Sequence, residues 1–404
     1  MSTHSLGRSA TAAESRRALV VVSSAVLLVS ATWFSGTAAI PALRREWGLG
    51  EAQAAWLTIG VQLGFISGTV LYAAFNLADV FDARGVFLVS SLLCAAFNGA
   101  FAWLAHGLPA GVLLRFLTGV TLAGVYPVGM KIIASWFRSG LGWRLGVMVG
   151  ALVLGTSFPY LIQALGAGWS WRALTSLGSL SAIAGGALLA AALDEGPYLP
   201  ARARFDPTAL VRIFKHAPFR HSAFGYFGHM WELYAFWSLL GFYLAASFAE
   251  RGAAWMRGVP LVAFGTVAMG AVGCVAGGWI SRRAGERDVA LVSLIVSGTL
   301  CALSGFAFAL PPGPLVLYLL VWGAFVVSDS PQFSALAARH CPPAYTGTAL
   351  TVQNGIGFAV TVLSIQLLPL LAARLGWRWA FVFLTIGPAF GAFFVSRLPS
   401  GRAE

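Results

Sequence analysis

Residues 18–43 read Ala-Leu-Val-Val-Val-Ser-Ser-Ala-Val-Leu-Leu-Val-Ser-Ala-Thr-Trp-Phe-Ser-Gly-Thr-Ala-Ala-Ile-Pro-Ala-Leu, without a single charge. About 20 apolar residues of helix cross the hydrocarbon core of a bilayer, so this stretch is long enough to span one. Arg16 and Arg17 stand before it, as basic residues stand before a secretory leader. The apolar run outlasts a leader's core, however, continuing through Trp33, Phe34 and Ile40, and is read as an uncleaved first span. Taking that span as 18–42, comparable runs follow at about 54–76, 86–106, 111–134, 145–165, 173–193, 222–246, 257–280, 289–309, 314–337, 347–370 and 378–397. The expected fold is an all-α integral membrane protein of twelve transmembrane helices.

Composition agrees. Of 404 residues, 58% are hydrophobic and 10% charged, against about 25% charged in soluble domains. Too few charges remain to cover a water-facing surface. The 29 Phe and 15 Trp exclude a disordered chain. A net charge of +12 invites a nucleic-acid reading, but the basic residues sit singly or in small groups between apolar runs, as in the loops of a polytopic protein. With twelve spans both termini lie on one side, and eight of the 26 Lys/Arg fall on the other. The positive-inside rule therefore makes both termini cytoplasmic. Cys94, Cys274, Cys301 and Cys341 form no CxxC pair and no disulfide framework.

The longest connection, 194–221, divides the chain into a tail 1–17, a six-helix bundle 18–193, a linker, a second bundle 222–397 and a tail 398–404. Asp206-Pro207 in the linker, followed by Ala209, Leu210, Val211, Ile213 and Phe214, reads either as the cap and first turn of a short interfacial helix or as a plain tether. The bundles repeat one another. Gly119 and Pro127 recur as Gly323 and Pro331, Trp171-Arg172 as Trp377-Arg378, and Arg84 falls opposite Arg287, all at nearly one offset. A duplicated six-helix unit is the design of a carrier whose halves rock about a central site.

The loop Gly278-Trp279-Ile280-Ser281-Arg282-Arg283-Ala284-Gly285-Glu286-Arg287 resembles the loop signature of the major facilitator superfamily, Gly-x-x-x-Asp-Arg-x-Gly-Arg-Arg. Arg283, Gly285 and Arg287 fit, while Arg282 takes the acidic position and Glu286 a basic one. The copy at Phe75–Arg84 keeps Asp79 and Arg84. Arg115 and Gly119 resemble the family's Arg-x-x-x-Gly signature on span four. The resemblance covers residues 18–397 and implies two pseudo-symmetric bundles and alternating access. It also implies a role for Arg115 in proton coupling, where position alone equally allows an anchor at the periplasmic edge. The segments Gly228–Tyr234 and Asp329–Phe333 resemble a bacterial branch often labelled nitrate/nitrite or cyanate permease-like, which implies the inner membrane of a bacterium. The nitrate carriers resemble one another in buried arginines on spans two and eight, and this sequence has none inside 54–76 or 258–280.

Ionisable residues in lipid are expensive and mark function. Glu232 lies ten residues into span seven, about 15 Å deep. His229 is one turn away, close enough in sequence to share a hydrogen bond or proton relay with it. A carboxyl among apolar groups disfavours its charged form and an imidazole titrates near neutrality, so either suits proton handling. The competing reading is a structural pair. Asp329 on span ten stands among Ser328, Ser330 and Gln332, two residues before Pro331, whose ring leaves the Val327 carbonyl unpaired. Lys131 either snorkels to the interface or pairs with Asp329. Gln353 and Asn354 either bind solute or glue helices together. Trp33, Tyr126, Tyr226, Trp231, Tyr234 and Gln332 complete the candidate cavity, read against ordinary packing. Asp79, Arg84, Arg283 and Arg287, with Pro127 and Pro331, are the candidate gate. In it an acid at the first loop latches onto the positive N-terminus of a helix in the other half.

No phosphate-binding glycine loop, dinucleotide fingerprint, HExxH or Cys/His cluster occurs. A cofactor, a metal and enzymatic chemistry are not expected. The expected function is secondary active transport of a small solute, proton-coupled, with a neutral or cationic solute favoured. A small-anion permease or exchanger and a non-transporting membrane sensor are the alternatives. The expected partners are solute, protons and lipid, without nucleic acid, and the expected state is a monomer.

Overall fold

The computed structural model describes residues 10–75, 77–137, 141–166, 169–194, 196–198, 209–249, 251, 253–341 and 345–399. Among them there is no strand, and 12 helices are long and apolar enough to cross a membrane. Spans one to six are Ala12–Trp47, Glu51–Ala74, Ala83–Leu104, Leu108–Trp136, Gly142–Leu165 and Trp171–Ala192. Spans seven to twelve are Ala217–Ala249, Trp255–Ala284, Glu286–Ala307, Pro312–Arg339, Thr348–Leu375 and Trp377–Val395. All twelve expected runs are helices, most extended by a turn at one end or the other.

Local chemistry sets the ends. Span one opens on a capping box, in which the Thr11 hydroxyl accepts from the Glu14 amide and the Glu14 carboxylate accepts from the Thr11 amide. It stops at Gly48, whose φ of 66° is the left-handed cap that glycine adopts without strain. Outward faces carry Leu104, Leu165, Phe306 and Leu317 largely exposed, as lipid contact requires.

Span twelve tightens into a 3-10 turn at Phe381–Thr385, and three further spans are broken into two α-helices near their middles. Span one runs as Ala12–Ser30 and Ser35–Trp47, span four as Leu108–Leu122 and Tyr126–Trp136, and span ten as Pro312–Ser328 and Ser330–Arg339. Pro127 and Pro331 stand in the first turn of the second segment, where a missing N–H costs nothing. Span seven, Ala217–Ala249, is continuous over 33 residues.

The repeat seen in sequence has a structural counterpart. A Cβ on Gly119 would stand 2.1 Å from the Val61 carbonyl of span two, and one on Gly323 would stand 1.8 Å from the Thr266 carbonyl of span eight. Both glycines thus let the fourth helix of their half lie on the second. Trp171 likewise packs on Trp47 at the end of span one, and Trp377 stacks on Phe242 near the end of span seven. The halves meet where span two lies on span eleven and span five on span eight.

A short helix, Ala209–Lys215, occupies the linker; the expected cap, Asp206-Pro207, lies outside the described residues. Ile213 packs in an apolar cluster with Phe219, Ala337, Cys341 and Ala349, and Arg212 donates to the Tyr345 hydroxyl at 2.9 Å. The linker helix therefore rides on the second half.

Candidate functional site

The break in span one frees backbone carbonyls in the middle of the molecule, where water cannot satisfy them. Arg115 of span four takes them: one guanidinium nitrogen donates to Thr32 O at 3.0 Å and to Asn98 Oδ1 at 3.0 Å, and the other donates to Trp33 O. Ser35 Oγ donates to the same Asn98 oxygen at 2.7 Å. Arg115 is 0% exposed. Its fork is inside the first half, holding span one bent. Gly36 makes room for it, since a Cβ there would come within 2.8 Å of the guanidinium.

The bend presents Trp33 to the seam between the halves. Its ring lies 4.9 Å from Phe65 of span two, 5.8 Å from Tyr234 of span seven and 5.8 Å from Phe358 of span eleven. Phe65 and Phe358 meet across the seam at 4.5 Å, and Phe34 packs on Tyr234 and Trp237. Tyr126 stands at the break in span four, half-buried. Trp33 and Tyr234 are brought together as expected. Trp231 is not: it faces span twelve, 5.4 Å from Phe383 and against Gly387.

The buried ionisable groups form two constellations. His229 Nδ1 is 2.9 Å from Asp329 Oδ1, joining span seven to the break in span ten, with both side chains almost wholly buried. Tyr226 and Phe333 flank the imidazole, each with its ring 5.8 Å away. Glu232 turns elsewhere and accepts from Ser297 Oγ at 2.9 Å, Cys301 Sγ at 3.2 Å and Trp322 Nε1 at 2.6 Å. The expected His229–Glu232 bond is therefore not formed. Three residues of helix leave two side chains about 60° apart around the axis; here His229 meets span ten at its break, at Asp329, while Glu232 meets span nine and, in the first segment of span ten, Trp322. Nor is Asp329 paired with Lys131, which is half-buried: the carboxylate faces His229 instead. The Val327 carbonyl that Pro331 was expected to strand accepts from Cys274 Sγ of span eight at 3.4 Å.

Several buried polar atoms have no hydrogen-bond partner among the described residues. They include both amide atoms of Gln62 and of Gln353, Trp33 Nε1, His229 Nε2 and Gln332 Nε2. Asn354, beside Gln353, is half-buried. Phe65, Phe358 and Gln62 escaped the sequence reading. A glutamine in mid-run, the signal that selected Gln353, was present at Gln62 as well.

At the gate, Arg84 donates to Asp194 Oδ1 at 2.8 Å and Leu193 O at 2.9 Å, tying the loop after span two to the end of span six in its own half. The side chain of Asp79, on the turn Leu77–Val80, lies outside the described residues. In the second half Arg283 lies over the Trp279 ring at 5.5 Å, Arg287 donates to Asp288 and to Ser396 O, and Glu286 pairs with Arg339 at 2.9 Å.

With this architecture in view, comparison with known proteins is decisive for the family. The sequence profile of the Major Facilitator Superfamily matches residues 22–365. The fold superposes on the Escherichia coli xylose transporter XylE in a partially occluded inward-open conformation, with a TM-score of 0.75, 12% identity and coverage of 97% of this chain and 100% of that one. A second XylE structure, the proton:xylose symporter bound to 6-bromo-6-deoxy-D-glucose, gives a TM-score of 0.74 at 13% identity over 96% of this chain and 97% of that one. Among curated proteins, the "Putative niacin/nicotinamide transporter NiaP" of Bacillus subtilis (strain 168) is 30% identical over 95 residues. That match spans 24% of this chain and 23% of the relative's length. The chain belongs to the Major Facilitator Superfamily and is a multi-pass membrane transporter of a small solute.

Proposed function

We propose that the protein is a proton-coupled secondary transporter of a neutral or cationic solute, working by alternating access in a cytoplasmic membrane with both termini inside. The halves 18–193 and 222–397 rock about the Trp33–Phe65–Tyr234–Phe358 cluster, and a monomer suffices. The observation that carries this reading is the His229–Asp329 pair, sealed in the middle of the bundle at the break in span ten. An acid there takes up a proton only when one face opens to water. Protonation cancels the attraction to the imidazole, releasing span seven from span ten at that point. Glu232, held by three donors, keeps a fixed place behind the pair. The buried guanidinium of Arg115 lies inside the first half with both terminal nitrogens donating to Thr32, Trp33, Ser35 and Asn98, which favours a solute that is not an anion. Moving one charge with a potential of 100 mV is worth about 2.3 kcal/mol, enough for accumulation of tens of fold.

The test is solute flux in proteoliposomes across a panel of anions, cations, sugars, amino acids and drugs, with and without an inward proton gradient. The expected result is accumulation that needs the gradient in wild type and is lost in Asp329→Asn, while exchange of labelled for unlabelled solute persists. Equal accumulation without a gradient, unchanged by Asp329→Asn and Glu232→Gln, would remove protons from the mechanism.

A further inference from the structure

Spans two and eleven, which meet at the seam, each carry a buried amide with unmet hydrogen-bonding capacity. Gln62 stands one turn before Phe65 on the same face of span two, and Gln353 stands one turn before Gly357, which packs directly on Tyr226 and Met230. Both glutamines are 0% exposed, yet among the described residues neither amide nitrogen nor amide oxygen has a partner. The indole N–H of Trp33, in the same cluster, is also unmet. Buried primary amides are normally satisfied, because each carries two donors and an acceptor that water would otherwise serve. Groups left this way on the two spans that supply Phe65 and Phe358 are groups that something else satisfies.

We propose that Gln62 and Gln353 read the polar edge of a neutral, planar aromatic solute whose ring stacks among Trp33, Phe65, Tyr234 and Phe358. This deepens the transporter reading and rests on it for the path by which solute reaches the seam. Four rings in mutual contact favour a flat π-face over a puckered one, through offset or edge-on packing. An amide offers donor and acceptor together, so it matches a solute edge that carries both, such as a carboxamide, lactam or aminopyridine edge. An anion would find Arg115 already committed to span one. A cation would find the carboxylate of Asp329 opposite His229 and that of Glu232 under three donors. A sugar, with a hydroxyl on nearly every ring carbon, brings more donors than two amides and an indole can take.

The probes are three molecules of one shape and three charges: benzamide, benzoate and benzamidinium. Cyclohexanecarboxamide is the non-aromatic control and D-xylose the sugar. Binding is read by saturation-transfer NMR on the purified full chain in nanodiscs, with competition titrations for affinity. Benzamide is expected to bind and the other four to bind at least about fivefold more weakly. Gln62→Leu and Gln353→Leu should each weaken benzamide by roughly fivefold to tenfold while raising the melting temperature of the solute-free protein, since each removes an unmet amide. Preference for benzoate, benzamidinium or xylose would overturn the proposal, as would no transfer to benzamide or unchanged binding in both variants. Asp329→Asn separates the two readings. Benzamide binding kept alongside unaltered gradient-driven flux sinks the coupling mechanism alone. Gradient-driven transport of another solute, with no benzamide binding, sinks this assignment alone.

Discussion

At the scale of the residue, Arg115 shows how a fold stabilises a break that lipid would otherwise forbid. A guanidinium has five donors in a rigid fork, and this one spans two carbonyls and an asparagine that no shorter or less forked side chain could reach together. Arg115→Ala is expected to leave those carbonyls bare in the interior, costing about 2–5 kcal/mol and lowering the melting temperature of the purified protein by many degrees. Arg115→Lys should recover only part of this loss, because one ammonium cannot serve both carbonyls with the same geometry. Equal stability of wild type and Arg115→Ala by scanning fluorimetry would show that span one does not need the fork. Glu232→Gln makes the opposite case. An amide oxygen in the Oε1 place still accepts from Trp322 and Cys301, and the amide nitrogen can donate to the Ser297 hydroxyl, so the protein should fold with little change in melting temperature.

Much of the candidate site was legible at this scale, and its limits have a physical reason. Glu232, His229 and Asp329 announce themselves as ionisable residues in apolar runs. Their partners do not, because Ser297, Cys301 and Trp322 are unremarkable letters in their own spans. Which of two residues one turn apart turns toward which neighbour depends on packing between helices distant in sequence. Phe65 and Phe358 were hidden for the same reason, since one phenylalanine among 29 carries no mark of its partner.

At the scale of the element, glycines at helix contacts fall into two kinds. Gly119 and Gly323 let helices touch within a half, with a neighbouring carbonyl 2.1 Å and 1.8 Å from where a Cβ would be. Gly119→Val or Gly323→Val is expected to abolish recovery of folded protein from membranes, measured as the monodisperse fraction on size exclusion. Gly146 and Gly278 stand instead between the halves, where the Cβ position on Gly146 is 3.6 Å from the Gly278 α-carbon. The Cβ position on Gly278 is likewise 3.7 Å from the Gly146 α-carbon, so cysteines at the two positions would face each other at close range, and the four native cysteines are buried. The double variant Gly146→Cys/Gly278→Cys should therefore cross-link under mild oxidant and stop transport, with recovery on reduction. Full flux in the cross-linked protein would show that spans five and eight need not part. The twelve spans themselves were readable from apolar run length. The breaks were readable in part, because Pro127 and Pro331 flag two of them. The break in span one carries no such mark and is held by Arg115, at least 80 residues away in the chain.

For the whole molecule, the halves share a plan and differ in how they bend. Spans one, four and ten are each two helices, whereas span seven is one. The buried acids both lie in the second half and the buried guanidinium in the first. If motion is concentrated at the breaks, a proline at Ala235 in unbroken span seven should impair the protein far more than one at Ala31 in the break of span one. Gradient-driven flux in proteoliposomes measures both, and equal loss from the two variants would put the bending elsewhere. Orientation rests on the distribution of basic residues, so reporter fusions at either end should both read as inside.

The docking of Ala209–Lys215 bears on how the gene could be divided. Because that helix is anchored by Ile213 and by the bond from Arg212 to Tyr345, a chain opened just before Ala209 yields a second fragment that keeps its own start and these two anchors. A cut after Lys215 would instead orphan an apolar patch at Phe219 and Ala349. Two cistrons split at the first point should assemble in the same membrane into a working carrier, and the same pair split at the second should not.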